Sequence, residues 1–182
     1  GILFDNGKRD RVQQELIAKV NPENKQGTFA DAVKGADVLI GCSAPGVFNV
    51  EAIKTMNDKS IVFGMANPVP EIMYEEAKEK GVYSYGSGRS DMPKQVNNSS
   101  VFPGLFRGAL DVRARQINEE MKLAAAHALA DLAIHSGKLD PDHVVVDVFD
   151  PKVPFAVAKA VAKAAIASGV ARATELPEKY RD

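Results

Sequence analysis

The chain has 182 residues, enough for an ordinary domain with its own core, and 45% hydrophobic against 26% charged residues suits a soluble globular protein. Its 23 basic and 24 acidic residues leave a net charge of −1, which removes the electrostatic case for a nucleic-acid or anionic-membrane partner. A single cysteine, Cys42, excludes an internal disulfide and a cysteine-based zinc cluster, and the apolar runs are far shorter than a bilayer span, so a reducing, cytoplasmic setting is expected.

In chain order, Gly1–Phe4 reads as the tail of a strand entering an Asp5-Asn6-Gly7 turn, an opening expected of a segment lying inside a larger protein. Val12, Leu16, Ile17 and Val20 have helical spacing over 11–20, stopped by Asn21-Pro22. Thr28 is the expected N-cap of a short helix over 29–34, with Gly35 ending it. Val38-Leu39-Ile40 predicts a buried strand running into Gly41-Cys42-Ser43-Ala44-Pro45-Gly46, followed by a helix over 50–56. A second buried strand, Ile61-Val62-Phe63, leads to Met65-Ala66-Asn67-Pro68. A charged helix over 71–80, closed by Gly81, precedes a third strand over 82–85.

Continuous apolar strands alternating with helices predict an α/β fold, a Rossmann-like doubly wound parallel sheet. In such sheets ligands bind outside the carboxyl ends of the strands, so the loops at Ser43, Asn67 and Gly86 are expected to converge there. No GxGxxG fingerprint occurs, so the first strand and glycine-rich turn of such a sheet are expected to lie outside the chain. The C-terminal part reads as helical: a long helix from Ile117 to Gly137, a strand-like VVVDV run after His143, and a helix from Pro154 to Gly169 with Ala158, Val161, Ala162 and Ala165 on one face. Its alanine richness predicts close helix packing and no ligand cavity.

The long polar connection over 85–113 is the most distinctive segment, because such a connection in a compact domain is usually functional. Its amide pair Asn97-Asn98 can donate and accept without adding charge; the competing reading is a helix N-cap. Ser43 in its small-residue turn can bind a ribose or simply belong to a tight turn. Asn67 before a proline is either a ligand contact or a turn starter. Arg89 and Asp91 are candidates for holding an anion, with loop bracing the plainer role. His127, His135 and His143 lack metal-ligand spacing, and Cys42 lacks an identifiable base.

Four strings now align with one family. ADVLIGCSAPGVF over 36–48, FGMANPVPEI over 63–72, GRSDMPKQVNN over 88–98 and FPGLFRGALDVRARQINEEMKLAAAHALA over 102–130 together resemble the malic enzymes, in the shorter bacterial form, in their NAD(P)-binding domain. The resemblance implies oxidative decarboxylation of malate to pyruvate and carbon dioxide with NAD or NADP and with Mg²⁺ or Mn²⁺. It implies substrate contacts for Asn67, Asn97 and Asn98, and cofactor contacts for those three and for Ser43, Ala44 and Gly46. It implies no catalytic residue and no metal ligand in this chain: the catalytic lysine and tyrosine, the acidic metal ligands and the glycine-rich fingerprint all fall before Gly1. The residue after the second strand that reads the ribose 2′ position is not in view, which leaves NAD against NADP open. Residues 1–115 are then expected to be an incomplete NAD(P)-binding Rossmann-like domain, and 116–182 a helical segment packed on it. The partners implied are malate and pyruvate, the missing N-terminal half and a second copy in a homodimer. Lys94 and Ser99-Ser100 depart from the family pattern. The alternative is a non-catalytic nucleotide-binding or oligomerisation module of the same fold.

Overall fold

A computed structural model describes residues 2–89 and 96–181. The chain divides into two compact units, residues 1–87 and 88–182.

The first unit carries a three-stranded parallel sheet in the order β1 (Val38–Gly41), β2 (Ile61–Gly64), β3 (Ser84–Ser87). Its register aligns Gly41 with Gly64 and Gly64 with Ser87, so all three strands end level at their carboxyl edge. The helices are α1 (Arg11–Val20), α2 (Phe29–Val33), α3 (Val50–Ile53) and α4 (Tyr74–Glu79). Their starts follow local chemistry. Asp10 accepts from the Gln13 N–H, Thr28 and Asp31 form a reciprocal capping box, and Asn49 accepts from the Ala52 N–H. Phe48, Ile53, Val62, Ile72, Val82 and Tyr85 form the core.

Several sequence expectations change here. Residues 2–4 form no strand; the Ile2 N–H donates to the Gly27 carbonyl and the Asn21 amide holds the Leu3 carbonyl. Only Ile17 of the α1 apolar set is buried, while Val12, Leu16 and Val20 are exposed. β1 is not a buried strand. It is an edge strand with Val38 50% and Ile40 61% exposed, because among the described residues nothing covers that face. The helix expected from Glu71 starts at Tyr74, and the third strand runs over 84–87 and is buried at every position although it is Ser-Tyr-Gly-Ser.

The second unit opens with a 3₁₀ turn at Asn98–Ser100 and continues into α5 (Phe102–Asp111), α6 (Glu119–His135) and α7 (Lys152–Ala167). Val112, Met121, Ala125, Val157, Val161, Ala162 and Ala165 form its core, with the predicted inner face of α7 fully buried. α5 lies against α7 because Gly104 has no side chain: a Cβ there would sit 2.6 Å from Val157 Cβ and 2.8 Å from the Pro154 carbonyl oxygen. The other face of α7 departs from the expected close packing. Ala124, Ala128, Ala160 and Ala164 line an open groove of about 800 Å³ between α6 and α7, bordered by His127, Asp131, Lys159 and Lys163. The VVVDV run forms no strand; only an isolated bridge pairs Asp140 with His143.

Asp111 ties the end of α5 to the C-terminal segment. It accepts from the Tyr180 hydroxyl at 2.7 Å and pairs with Lys179 at 2.6 Å and Arg107 at 2.5 Å. Burial would raise its pKa, but Lys179, Tyr180 and Arg107 outweigh that and hold it at about 2, below the ordinary 3.8. A depressed carboxylate contributes stability that is present above its unfolded pKa and is lost as pH falls through its folded value. Asp111→Asn is therefore expected to remove up to about 2 kcal/mol at neutral pH and to flatten the acid arm of stability. Denaturant unfolding of both proteins from neutral pH down to the acid range checks this; parallel acid arms would contradict it.

Candidate functional site

The carboxyl edge of the sheet is organised by one residue that the sequence reading assigned to a helix. Glu71 lies in the connection after β2 and is fully buried. Its Oε1 accepts from the Ser43 backbone N–H at 2.6 Å and from the Ser43 hydroxyl at 3.0 Å, and its Oε2 accepts from the Ala66 N–H at 3.0 Å. One carboxylate thus joins the turns after β1 and β2. The backbone reinforces it, with the Gly46 N–H donating to the Pro70 carbonyl and the Phe48 N–H to the Glu71 carbonyl, both at 3.4 Å. Gly41 makes room: a Cβ there would lie 2.5 Å from Glu71 Cδ and 2.6 Å from Phe48 Cζ.

Burial would push the Glu71 carboxyl up, but the Ala66 and Ser43 donors outweigh it and leave the pKa below the ordinary 4.5. The carboxylate is therefore ionised at neutral pH. Its stabilising contribution is present above the unfolded pKa and disappears as pH falls through the folded one. Tyr85 packs beneath, 1% exposed, donating its hydroxyl to the Ile72 carbonyl at 2.7 Å; burial pushes its pKa up to about 12.

Above this support, Ser43, Ala44 and Gly46 form an exposed turn. Gly46 has φ +66, and a Cβ there would meet no atom within 4 Å, so the turn faces open space. Asn67 is exposed at the end of β2, and its side chain has no hydrogen-bond partner among the described residues. The structure therefore brings the Ser43 and Asn67 loops to one edge, as the parallel topology predicts.

Asn97 and Asn98 belong to the second unit and differ from each other. The Asn97 side chain accepts from the Ser99 N–H at 2.8 Å and donates to the Gly88 carbonyl at 2.6 Å, so it caps the 3₁₀ turn and fixes the preceding backbone. Asn98 is exposed, with a side-chain amide that has no partner among the described residues. Arg89 is partly buried, and Asp91 and Lys94 lie outside the described residues. His135 contacts the Asp131 carbonyl and His143 pairs with Asp140. Among the described residues no three His, Cys, Asp or Glu side chains are grouped to hold a metal ion, and no helix is long and apolar enough to cross a membrane.

Sequence reasoning missed Glu71 and Tyr85. The available signal for Glu71 was its setting between Pro70 and Ile72: the prolines at 68 and 70 disfavour a helix start there, and an acidic residue between two apolar ones suits burial.

A parallel α/β sheet with open turns at its strand ends is a ligand-binding architecture of the doubly wound class. The family model described as "Malic enzyme, NAD binding domain" matches residues 1–166, and the chain belongs to that family. It is 51% identical over 177 residues to the bifunctional malic/malolactic enzyme of Bacillus subtilis (strain 168), a match covering 97% of this chain and 43% of the relative. It is 50% identical over 164 residues to the NAD-dependent malic enzyme of Geobacillus stearothermophilus, covering 90% of this chain and 34% of that one. The crystal structure of the Entamoeba histolytica malic enzyme superposes with a TM-score of 0.86 at 46% identity, over 92% of this chain and 35% of that one. The chain thus spans less than half the length of these relatives.

Tyr85→Phe removes the only hydroxyl that reaches the Ile72 carbonyl among the described residues. An unfolding midpoint corresponding to a loss of about 1–3 kcal/mol is expected, because a buried acceptor is left unpaired. An unchanged midpoint would show that this bond does not support the edge.

Proposed function

We propose that this chain is the cofactor-binding part of an enzyme that oxidatively decarboxylates malate to pyruvate and carbon dioxide with NAD or NADP. The observation that carries the reading is the open Ser43–Gly46 turn beside Asn67 at adjacent parallel strand ends, in a member of the malic enzyme family. Relatives named as NAD-dependent and as NADP-dependent both match, which keeps either cofactor in the proposal.

The residues fit a nicotinamide nucleotide. Ser43, Ala44 and Gly46 offer a small, open turn where a flat ligand can approach the backbone. Asn67 and Asn98 offer unengaged amides that can orient a carboxamide or a carboxylate. Asn97 retains one N–H and one acceptor position beyond its capping role. When bound, the nicotinamide supplies the hydride acceptor and Mg²⁺ or Mn²⁺ supplies Lewis acidity. The chain's own amides serve to position malate and the ring for transfer; they move no proton. The metal ligands and the acid–base pair are assigned to the remainder of the enzyme, in a cytoplasmic homodimer. The oligomerisation alternative draws on α5, whose Phe102, Phe106 and Leu110 form an exposed apolar stripe.

In the full-length enzyme, Asn98→Ala is expected to lose about 1–3 kcal/mol of substrate or transition-state binding with little change in stability, whereas Asn97→Ala should destabilise the fold by about 1 kcal/mol through its lost cap. Steady-state kinetics and thermal unfolding of the two variants separate these effects; wild-type kinetics for Asn98→Ala would remove it from the site. The 182-residue chain alone is expected to form no pyruvate from malate with NAD⁺ or NADP⁺ and Mn²⁺. Metal-dependent pyruvate formation by the purified chain would overturn that assignment of roles.

A further inference from the structure

The turn after β1 is shaped from below. Ser43 has two hydrogen-bond donors, its backbone N–H and its hydroxyl, and both point at Glu71 Oε1, at 2.6 and 3.0 Å. A serine hydroxyl carries one proton and two lone pairs. With the proton held by Glu71, the side that faces open space can only accept. A phosphate is an acceptor and an anion, so it finds no donor at Ser43 and meets a carboxylate directly beneath. Ser43 therefore differs from the residues of a glycine-rich phosphate loop, whose backbone N–H groups point at the ligand.

We propose that Glu71 is a positioning residue that sets Ser43 as an obligate acceptor, so that the ligand group seated on Ser43 is a hydrogen-bond donor, which in the nicotinamide-nucleotide reading is a ribose hydroxyl. The inference deepens the nicotinamide-nucleotide reading and rests on it. The carboxylate is required over an amide because both oxygens accept, Oε1 from Ser43 and Oε2 from Ala66. Glutamine at this position has one acceptor oxygen, and its NH₂ would face an N–H of one of the two turns. The side chain is 0% exposed and lies against Gly41, so an amide placed there stays among the same donors. The Ala66 bond extends the same control to the backbone immediately before Asn67.

The test uses the full-length enzyme and direct titration of NAD⁺ and NADP⁺, with thermal unfolding in parallel. Glu71→Gln is expected to weaken cofactor binding by about tenfold or more, and Ser43→Ala by about fivefold. The double variant should bind nearly as Glu71→Gln does, since the two residues act as a unit. Inorganic pyrophosphate should bind the wild type and Ser43→Ala equally. Wild-type affinity in Glu71→Gln, fully additive losses in the double variant, or pyrophosphate binding that depends on Ser43 would each overturn the proposal. Should Glu71→Gln not fold, a cofactor analogue lacking the ribose hydroxyls decides. Wild type should discriminate against it and Ser43→Ala should not; equal discrimination by both refutes the role of Ser43. Wild-type enzyme that binds neither cofactor overturns the nicotinamide reading and this inference together, whereas binding that ignores both substitutions overturns this inference alone.

Discussion

A buried carboxylate is tolerated only where donors replace its lost water, and the carboxyl edge of this sheet is built around one such exchange. Gly41 vacates space for Glu71, Ser43 and Ala66 donate to its carboxylate, and the Phe48 N–H holds its backbone carbonyl. The level strand ends bring the turns after β1 and β2 within reach of a single side chain. Remove the charge and two turns lose their common anchor; remove the glycine and the charge has no place to sit. The exposed part of the edge is small and open because its rigidity comes from beneath.

The helical unit relies on a different principle. α5 and α7 approach until backbone meets side chain at Gly104, and the small residues of α7 fill the remaining space. Close packing of this kind fixes the orientation of α5 and of the 3₁₀ turn that precedes it. Asn97 completes that support by capping the turn, leaving its neighbour Asn98 outward. Two adjacent and chemically identical residues thereby take separate roles.

Local chemistry was legible in the sequence. The bounds of α1, the Thr28 cap, the strand ending at Gly41 and the inner face of α7 follow from caps, glycines and periodicity within a few residues. What escaped depends on contacts distant in sequence. Glu71 reads as a helix start until Ser43 is brought beside it, and Val38 and Ile40 read as buried because hydrophobicity does not say whether a covering layer is present. Val144–Val146 has strand propensity but finds no strand partner among the described residues. The alanines of α6 and α7 are small enough either to pack closely or to leave a groove, and periodicity alone does not choose between them. For the site, Ser43, Asn67 and the amide pair were visible as residue types at loop positions, whereas the partner that orients Ser43 was not.

Ser43 and Ala66 give their amide protons to the two oxygens of one carboxylate. Departure of Glu71 from its pocket therefore frees both amides at once, and hydrogen exchange through that opening carries one free energy at the two positions. Two turns separated in sequence share that route of exchange.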